Sequence, residues 1–253
     1  MQDQTLNFST LTMQHNETSI HGLTWLSRYE KYLGPFVYGG IDGCVTTFAV
    51  VAGAVGAGLA SDVIIILGFA NLLADGFSMS IGAYLSSKSE RSYYFKQKAI
   101  EYWEVDHLPE KEKEEIREIY REKGFEGETL EKIVDVITAD KDRWVNVMMK
   151  EELGMSLEER SPLKIGLVTY VSFILIGLIP LTVYVWDYLQ PTGSNLFVIS
   201  SVLTAAGFMI IGVLKSYVTQ TKLWRGVMET ILLGLIAALV AYFVGDWLEK
   251  IIS

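Results

Sequence analysis

Two acids interrupt long apolar stretches of this chain. Asp42 stands in Tyr38-Gly39-Gly40-Ile41-Asp42-Gly43, within residues 33–61, which hold no other charged side chain. Asp75 is the single charge in residues 63–87, and Met79 follows it by four residues. A carboxylate at bilayer depth costs about 2.5–3.5 kcal/mol on the gentlest scale, so acids kept there mark ion paths, proton relays or substrate sites. Asn71, Asp75 and Met79 recur every four residues and share one stripe of a helix, flanked by Ser78 and Gly82. On the preceding segment Gly39, Gly40 and Gly43 bracket Asp42, with Thr46 and Thr47 one turn on. Small residues of this kind let membrane helices approach closely. The competing, structural reading has Asp42 capping or kinking its helix and Asp75 paired with Lys215.

A second group of donors lies between the apolar segments. Glu101 and Glu104 are three residues apart, as are Glu112 and Glu115, and Met148 or Met149 shares a helical face with Glu152. Glutamate pairs on facing helices are how bundles build multi-carboxylate metal sites. Oxygen ligands with a methionine sulfur suit Fe²⁺ or Mn²⁺ better than Ca²⁺. The bland reading is also available: in EKEKEEIREIYREK acids and bases alternate as on a solvated helix. Spacing alone leaves that choice open. There is no His or Cys cluster for structural zinc, and one cysteine, Cys44 in an apolar run, excludes a disulfide framework.

These residues need elements to hold them. Half of the 253 residues are hydrophobic, and they fall in blocks at 33–61, 63–87, 165–186, 188–214 and 226–245. Each block is long enough to cross a hydrocarbon layer of about 30 Å. The expectation is an all-α membrane protein with five transmembrane helices. Residues 1–32 form an N-terminal segment without the pattern of a signal peptide, ending in an amphipathic interfacial helix at 23–33. The Asn16-Glu17-Thr18 sequon is read as chance. Residues 33–87 hold the first two spans, 88–160 an acidic helical insert, and 161–253 the last three. Pro180 should kink the third span.

The insert reads as three helices. The first continues the second span through 89–105. Pro109 suits the first turn of the next, 110–123, which ends at Gly124. The third starts after Thr129 as N-cap, buries Leu130, Ile133, Val134 and Ile137, and breaks near Asp140 before resuming to Leu153-Gly154.

Basic residues set the orientation. Arg28 and Lys31 precede the first span; Lys88, Arg91, Lys96 and Lys98 follow the second; Lys215, Lys222 and Arg225 lie between the fourth and fifth. The connections at 61–62 and 187–195 carry none. The N-terminus and the insert are therefore expected in the cytoplasm and the C-terminus on the opposite side. Lys215 and Glu229, near the cytoplasmic ends of the last two spans, either snorkel or pair with each other. The net charge of −9 comes largely from residues 90–160. Such an insert repels nucleic acid and attracts cations.

Four stretches together resemble the vacuolar iron transporter family, the iron/manganese transporters of yeast and plant vacuolar type: GGIDGCVTTFAVVAGAVGAG, ANLLADGFSMSIGAYLSSKSE, WVNVMMKEELG and KSYVTQTKLWRGVMETILLGLIAALVAYFVG, in family order. The resemblance implies a homodimer of five-helix protomers with the pore at the dimer interface and the insert as a cytoplasmic metal-binding domain. It implies export of Fe²⁺, and often Mn²⁺, from the cytosol in exchange for protons. It places membrane metal ligands on Asp42 and Met79, and insert ligands on Glu101, Glu104, Glu112, Glu115, Met148 or Met149, and Glu152. Plant members can carry a glutamate where this chain has Asn71, while this chain has Asp75 one turn on. They are also richer in carboxylates just before the proline than EYWEVDHLP.

The expected function is proton-coupled export of a divalent metal, with Asp42, Asn71, Asp75, Lys215 and Glu229 as candidates for proton coupling or the pathway. The membrane would be the cell membrane in a prokaryote and the vacuolar membrane in a eukaryote. The expected partners are a second copy of the chain, the bilayer, divalent ions and protons, with no nucleic acid and no prosthetic group. The alternative is a membrane-anchored metal sensor or buffer whose spans serve only as anchor; an enzyme is the most distant reading.

Overall fold

A computed structural model describes residues 24–191 and 195–252. The described chain is helical throughout: α1 Thr24–Gly56, α2 Ser61–His107, α3 Pro109–Glu122, α4 Gly127–Thr138, α5 Lys141–Glu151, α6 Pro162–Gly177, α7 Ile179–Leu189, α8 Leu196–Thr219 and α9 Leu223–Ile252. Helices α1, α2, α8 and α9 are each long and apolar enough to cross a membrane, and α6 with α7 makes a fifth candidate span bent by 49°. The bend falls at Leu178, beside Pro180 in the first turn of α7, where the kink was expected. The chain is a multi-pass membrane protein.

The 47 residues of α2 form one helix. At 1.5 Å per residue it is about 70 Å long, more than twice the thickness of a hydrocarbon layer. Its C-terminal half therefore leaves the apolar layer, as the absence of Gly and Pro after Gly82 foretold.

Several boundaries differ from the sequence reading. Among the described residues no separate interfacial helix precedes the first span: α1 runs unbroken from Thr24 through Pro35 to Gly56. Leu23 and the rest of residues 1–23, the sequon included, lie outside the described residues. Pro35 lacks the N–H that would bond the Lys31 carbonyl, and Arg160 Nη1 donates to that carbonyl instead, at 3.2 Å. The first span also ends earlier. Gly58 sits at φ +65°, and Leu59 N–H bonds Ala54 O at 3.0 Å, closing the helix. The fourth span is displaced, to Leu196–Thr219 instead of 188–214. Helix α7 reaches Leu189, Pro191 bars its continuation, and Asn195 restarts the chain by accepting from Val198 N at 3.3 Å. Gln190, Pro191 and Asn195 were the available signal for that turn.

The insert has more pieces than expected: α3 and α5 pack on the end of α2 and α4 packs on α3 and α5, giving four helical arms instead of three. Pro109 opens α3 as anticipated. Its end is a Schellman turn: Gly124 is at φ +90°, Phe125 N bonds Tyr120 O at 3.1 Å, and their rings lie 6.0 Å apart. Thr129 is not the next N-cap. Gly127, at φ +56°, turns the chain two residues earlier and leaves Thr129 inside α4. The break at Asp140 is complete, and the Asp140 carboxylate caps α5 by accepting from Arg143 N at 2.7 Å. The arms enclose a core of Val105, Ile116, Leu130, Val134, Ile137, Trp144, Val145, Met148 and Met149. Ile133, expected inside, is half-buried.

Among the apolar helices α1 is central, packed on α6, α9, α8 and α2. Glycines permit the closest approach. A Cβ at Gly39 or Gly43 would run into the Thr169 or Phe173 carbonyl of α6.

Candidate metal centre

One helical turn on each of two arms sets the site. Glu101 lies four residues before core residue Val105 on α2, and Glu112 four before Ile116 on α3. Each glutamate therefore shares a face with an apolar anchor and is carried into the interior with it. Glu101 is 4% and Glu112 1% exposed. Ligand oxygens of Glu101, Glu104 and Glu112 all lie within 4.8 Å of one another. Glu101 Oε2 and both Glu112 oxygens have no hydrogen-bond partner. Burying a carboxylate without partners is costly, and a cation among these oxygens would supply what is missing.

The two buried carboxyls hold protons unusually tightly. Burial comes first for Glu101, followed by the charges of Glu152, Glu104, Glu112 and Glu115, and together they push it up to about 7. Burial, then Glu115 and Glu104, push Glu112 up to about 7, with Lys111 opposing. Glu152, at the end of α5, is raised by burial and by Glu115 and Glu104. The structure thus gathers Glu101, Glu104 and Glu112 and puts Glu115 and Glu152 within electrostatic reach. Met148 and Met149 are wholly buried in the adjoining core.

Ion pairs and hydrogen bonds hold the arms in register. Lys98 Nζ donates to Asn146 Oδ1 at 2.9 Å, Tyr102 OH donates to Asp142 Oδ1 at 2.6 Å, and Lys141 pairs with Asp106. Arg117 of α3 forks onto Glu131 of α4 at 2.8 and 3.1 Å. Glu104 and His107 stand at the Glu-x-x-His spacing of di-iron bundles. The imidazole turns elsewhere: it stacks on Trp103 at 4.4 Å, and its Nδ1 bonds the Trp103 carbonyl at 2.7 Å.

One contact was missed in the sequence. Lys111 Nζ pairs with Glu115 Oε1 at 2.8 Å and stands 4.0 Å from Glu112 Oε1. The i,i+4 spacing of Lys111 and Glu115 was the available signal.

In the spans, Asp42 is half-buried on α1 and Asp75 exposed on α2, close enough for their charges to interact. Neither has an ion-pair partner among the described residues. Lys215 does not pair with Asp75, as the structural reading supposed; it pairs with Glu229 at 2.7 Å, joining α8 to α9. Proximity along the chain favours that choice, since only a short turn separates the two helices. Asn71, one turn before Asp75, has an unpartnered buried Nδ2, and Met79 is half-buried one turn after.

A bundle of apolar helices with an acidic helical insert defines a class of multi-pass membrane protein that carries a carboxylate cluster beyond its spans. The chain belongs to the VIT family, whose model matches residues 33–246. It is 34% identical over 251 residues to a vacuolar iron transporter of Toxoplasma gondii, covering 96% of this chain and 83% of that one. It is 34% identical over 230 residues to a vacuolar iron transporter of Plasmodium falciparum, covering 87% and 84%. Vacuolar iron transporter 1 of Arabidopsis thaliana is 31% identical over 207 residues, covering 81% and 82%.

Proposed function

We propose that the protein exports Fe²⁺, and Mn²⁺ through the same donors, from the cytosol in exchange for protons. The relatives' names support iron as cargo. The observation that carries the reading is the set of three orphaned carboxylate oxygens on buried Glu101 and Glu112. In this reading residues 88–160 are cytoplasmic and gather the ion through Glu101, Glu104, Glu112, Glu115 and Glu152, with Met148 or Met149 as the soft donor. Their summed negative charge raises the local cation concentration.

Asp42, Asn71, Asp75 and Met79 then carry the ion through the membrane. The face of α2 bearing Asp75 also exposes Ser78 and Gly82, and a carboxylate left against lipid is costly. A second protomer covers that face and doubles the donors, which makes the dimer interface the pore. A carboxylate binds a metal ion when ionised and releases it when protonated, so a proton arriving from the acidic side expels the ion there. The pair Lys215–Glu229 ties the last two helices and takes no part in this exchange.

The test is uptake of Fe²⁺ into proteoliposomes with an imposed pH gradient. Export predicts accumulation on the acidic side that collapses with the gradient and is lost in Asp42→Ala. Transport by Asp42→Ala at the unmutated rate removes the pathway. A chain that binds metal yet never moves it is the anchored sensor or buffer.

A further inference from the structure

The site has a cation of its own. Lys111 Nζ lies 2.8 Å from Glu115 Oε1 and 4.0 Å from Glu112 Oε1. Its charge also acts on Glu104 and on Glu152. The other ion-paired bases of the insert are engaged elsewhere, among them Arg117 with Glu114 and Glu131, Lys123 with Glu151, and Lys141 with Asp106. Among the described residues, Lys111 alone is paired to members of the cluster. It remains 62% exposed, so its ammonium can swing into water without disturbing the core.

We infer that Lys111 is a tethered competitor for the metal cluster, which sets its affinity and its preference for divalent over monovalent cations. This rests on the reading of the cluster as a metal site. The orphaned oxygens of Glu101 and Glu112 point inward to a ligand independently of Lys111. An ammonium fixed beside the carboxylates by its own stem has an effective concentration far above that of salt ions in bulk. Na⁺ or K⁺ can only exchange one positive charge for another and gains nothing against it. A divalent ion brings twice the charge and displaces the ammonium at a net electrostatic profit. Lys111 thereby keeps the site from filling with monovalent ions, at the cost of weaker metal binding.

The experiment measures Mn²⁺ binding to the purified full-length protein in detergent, counting free Mn²⁺ by electron paramagnetic resonance at low and high KCl. Lys111→Met is expected to bind Mn²⁺ about tenfold more tightly at low salt, because a repelling charge near the ion is gone. It should also lose affinity to added KCl more steeply than the unmutated chain, because K⁺ now reaches the oxygens. Lys111→Arg, whose planar fork grips a carboxylate more firmly, should bind more weakly than the unmutated chain. Lys111→Met affinity within twofold of the unmutated chain, with the same KCl dependence, overturns the inference. Glu101→Gln with Glu112→Gln separates the two failures. If that variant binds Mn²⁺ normally, the cluster is not the metal site, and both readings fall together.

Discussion

In the insert, buried carboxylates crowd within a single chain, closed in by its own four arms and faced by its own lysine. In the spans, Asp42 and Asp75 also interact as like charges, but among the described residues neither has an ion-pair partner, and Asp75 lies on an open helix face. The first site can hold an ion with residues of one chain. The second has donors on one side only, and in the proposed dimer the partner supplies the rest. Capture and passage then differ physically: a capture site benefits from depth and several ligands, whereas a passage site must let go, and fewer, shared donors release faster.

The sharpest break of that comparison is Asp42→Ala. Transport in proteoliposomes should fall to the rate of empty vesicles, while Mn²⁺ binding by the insert stays at its original stoichiometry. Loss of both would merge the two sites into one. Next in size, Glu101→Gln with Glu112→Gln should weaken Mn²⁺ binding about a hundredfold or more by removing two charged ligands, since losing even an outer-shell partner typically costs about 10–100-fold. Transport at saturating ion should survive, since the membrane donors are untouched. Equal losses at low and saturating ion would show that the insert is part of the pore.

Acidity sharpens the comparison further. The ordinary carboxyl value for Glu101 and Glu112 is 4.5, and in the fold both lie at about 7. The folded chain therefore holds these protons more tightly than the unfolded chain does. Without metal, their contribution to stability is fully present below the unfolded value and is lost as pH rises through about 7. Metal takes the place of the protons, so its affinity climbs across the same window. Thermal unfolding of the full chain, with and without Mn²⁺, should show the gap between the two midpoints widening as pH rises. A constant gap would count against these two residues as ligands.

A smaller effect concerns packing. Gly43→Ala puts a methyl group against the Phe173 carbonyl and should destabilise the α1–α6 contact by about 1–3 kcal/mol, visible as a lower unfolding temperature. The smallest is Lys215→Met. An exposed pair contributes little, so transport should change less than twofold.

The sequence made the membrane helices legible because length without charge is a physical requirement of a bilayer, not a pattern to be guessed. It also made the continuation of α2 legible, since nothing between Gly82 and His107 breaks a helix. The ends were less so. Gln190, Pro191 and Asn195 mark the boundary between α7 and α8 later than the apolar block at 188–214 placed it, and Gly127 moves the start of α4 by its backbone angle. In the site, spacing gave the glutamate pairs but not their depth. Glu112 and Glu114 look alike in EKEKEEI, yet Glu112 is buried one turn from Ile116 and Glu114 is exposed. That distinction comes from which face α3 turns to α2 and α4, a tertiary fact. Lys111 was obscured for the same reason, as one of many charges on a helix that reads as solvated.

The unbroken length of α2 makes residue count a matter of phase. From Asp75 to Glu101 is 101 − 75 = 26 residues, roughly 40 Å of a single rod with no swivel. One inserted residue advances everything beyond it by about 100°, turning Glu101 away from α3 while leaving composition, charge and every local propensity intact. Seven inserted residues, about two turns, nearly restore the angle and only lengthen the rod. The helix thus acts as a keyed shaft, which allows substitution along its exposed stretch but not a change of register.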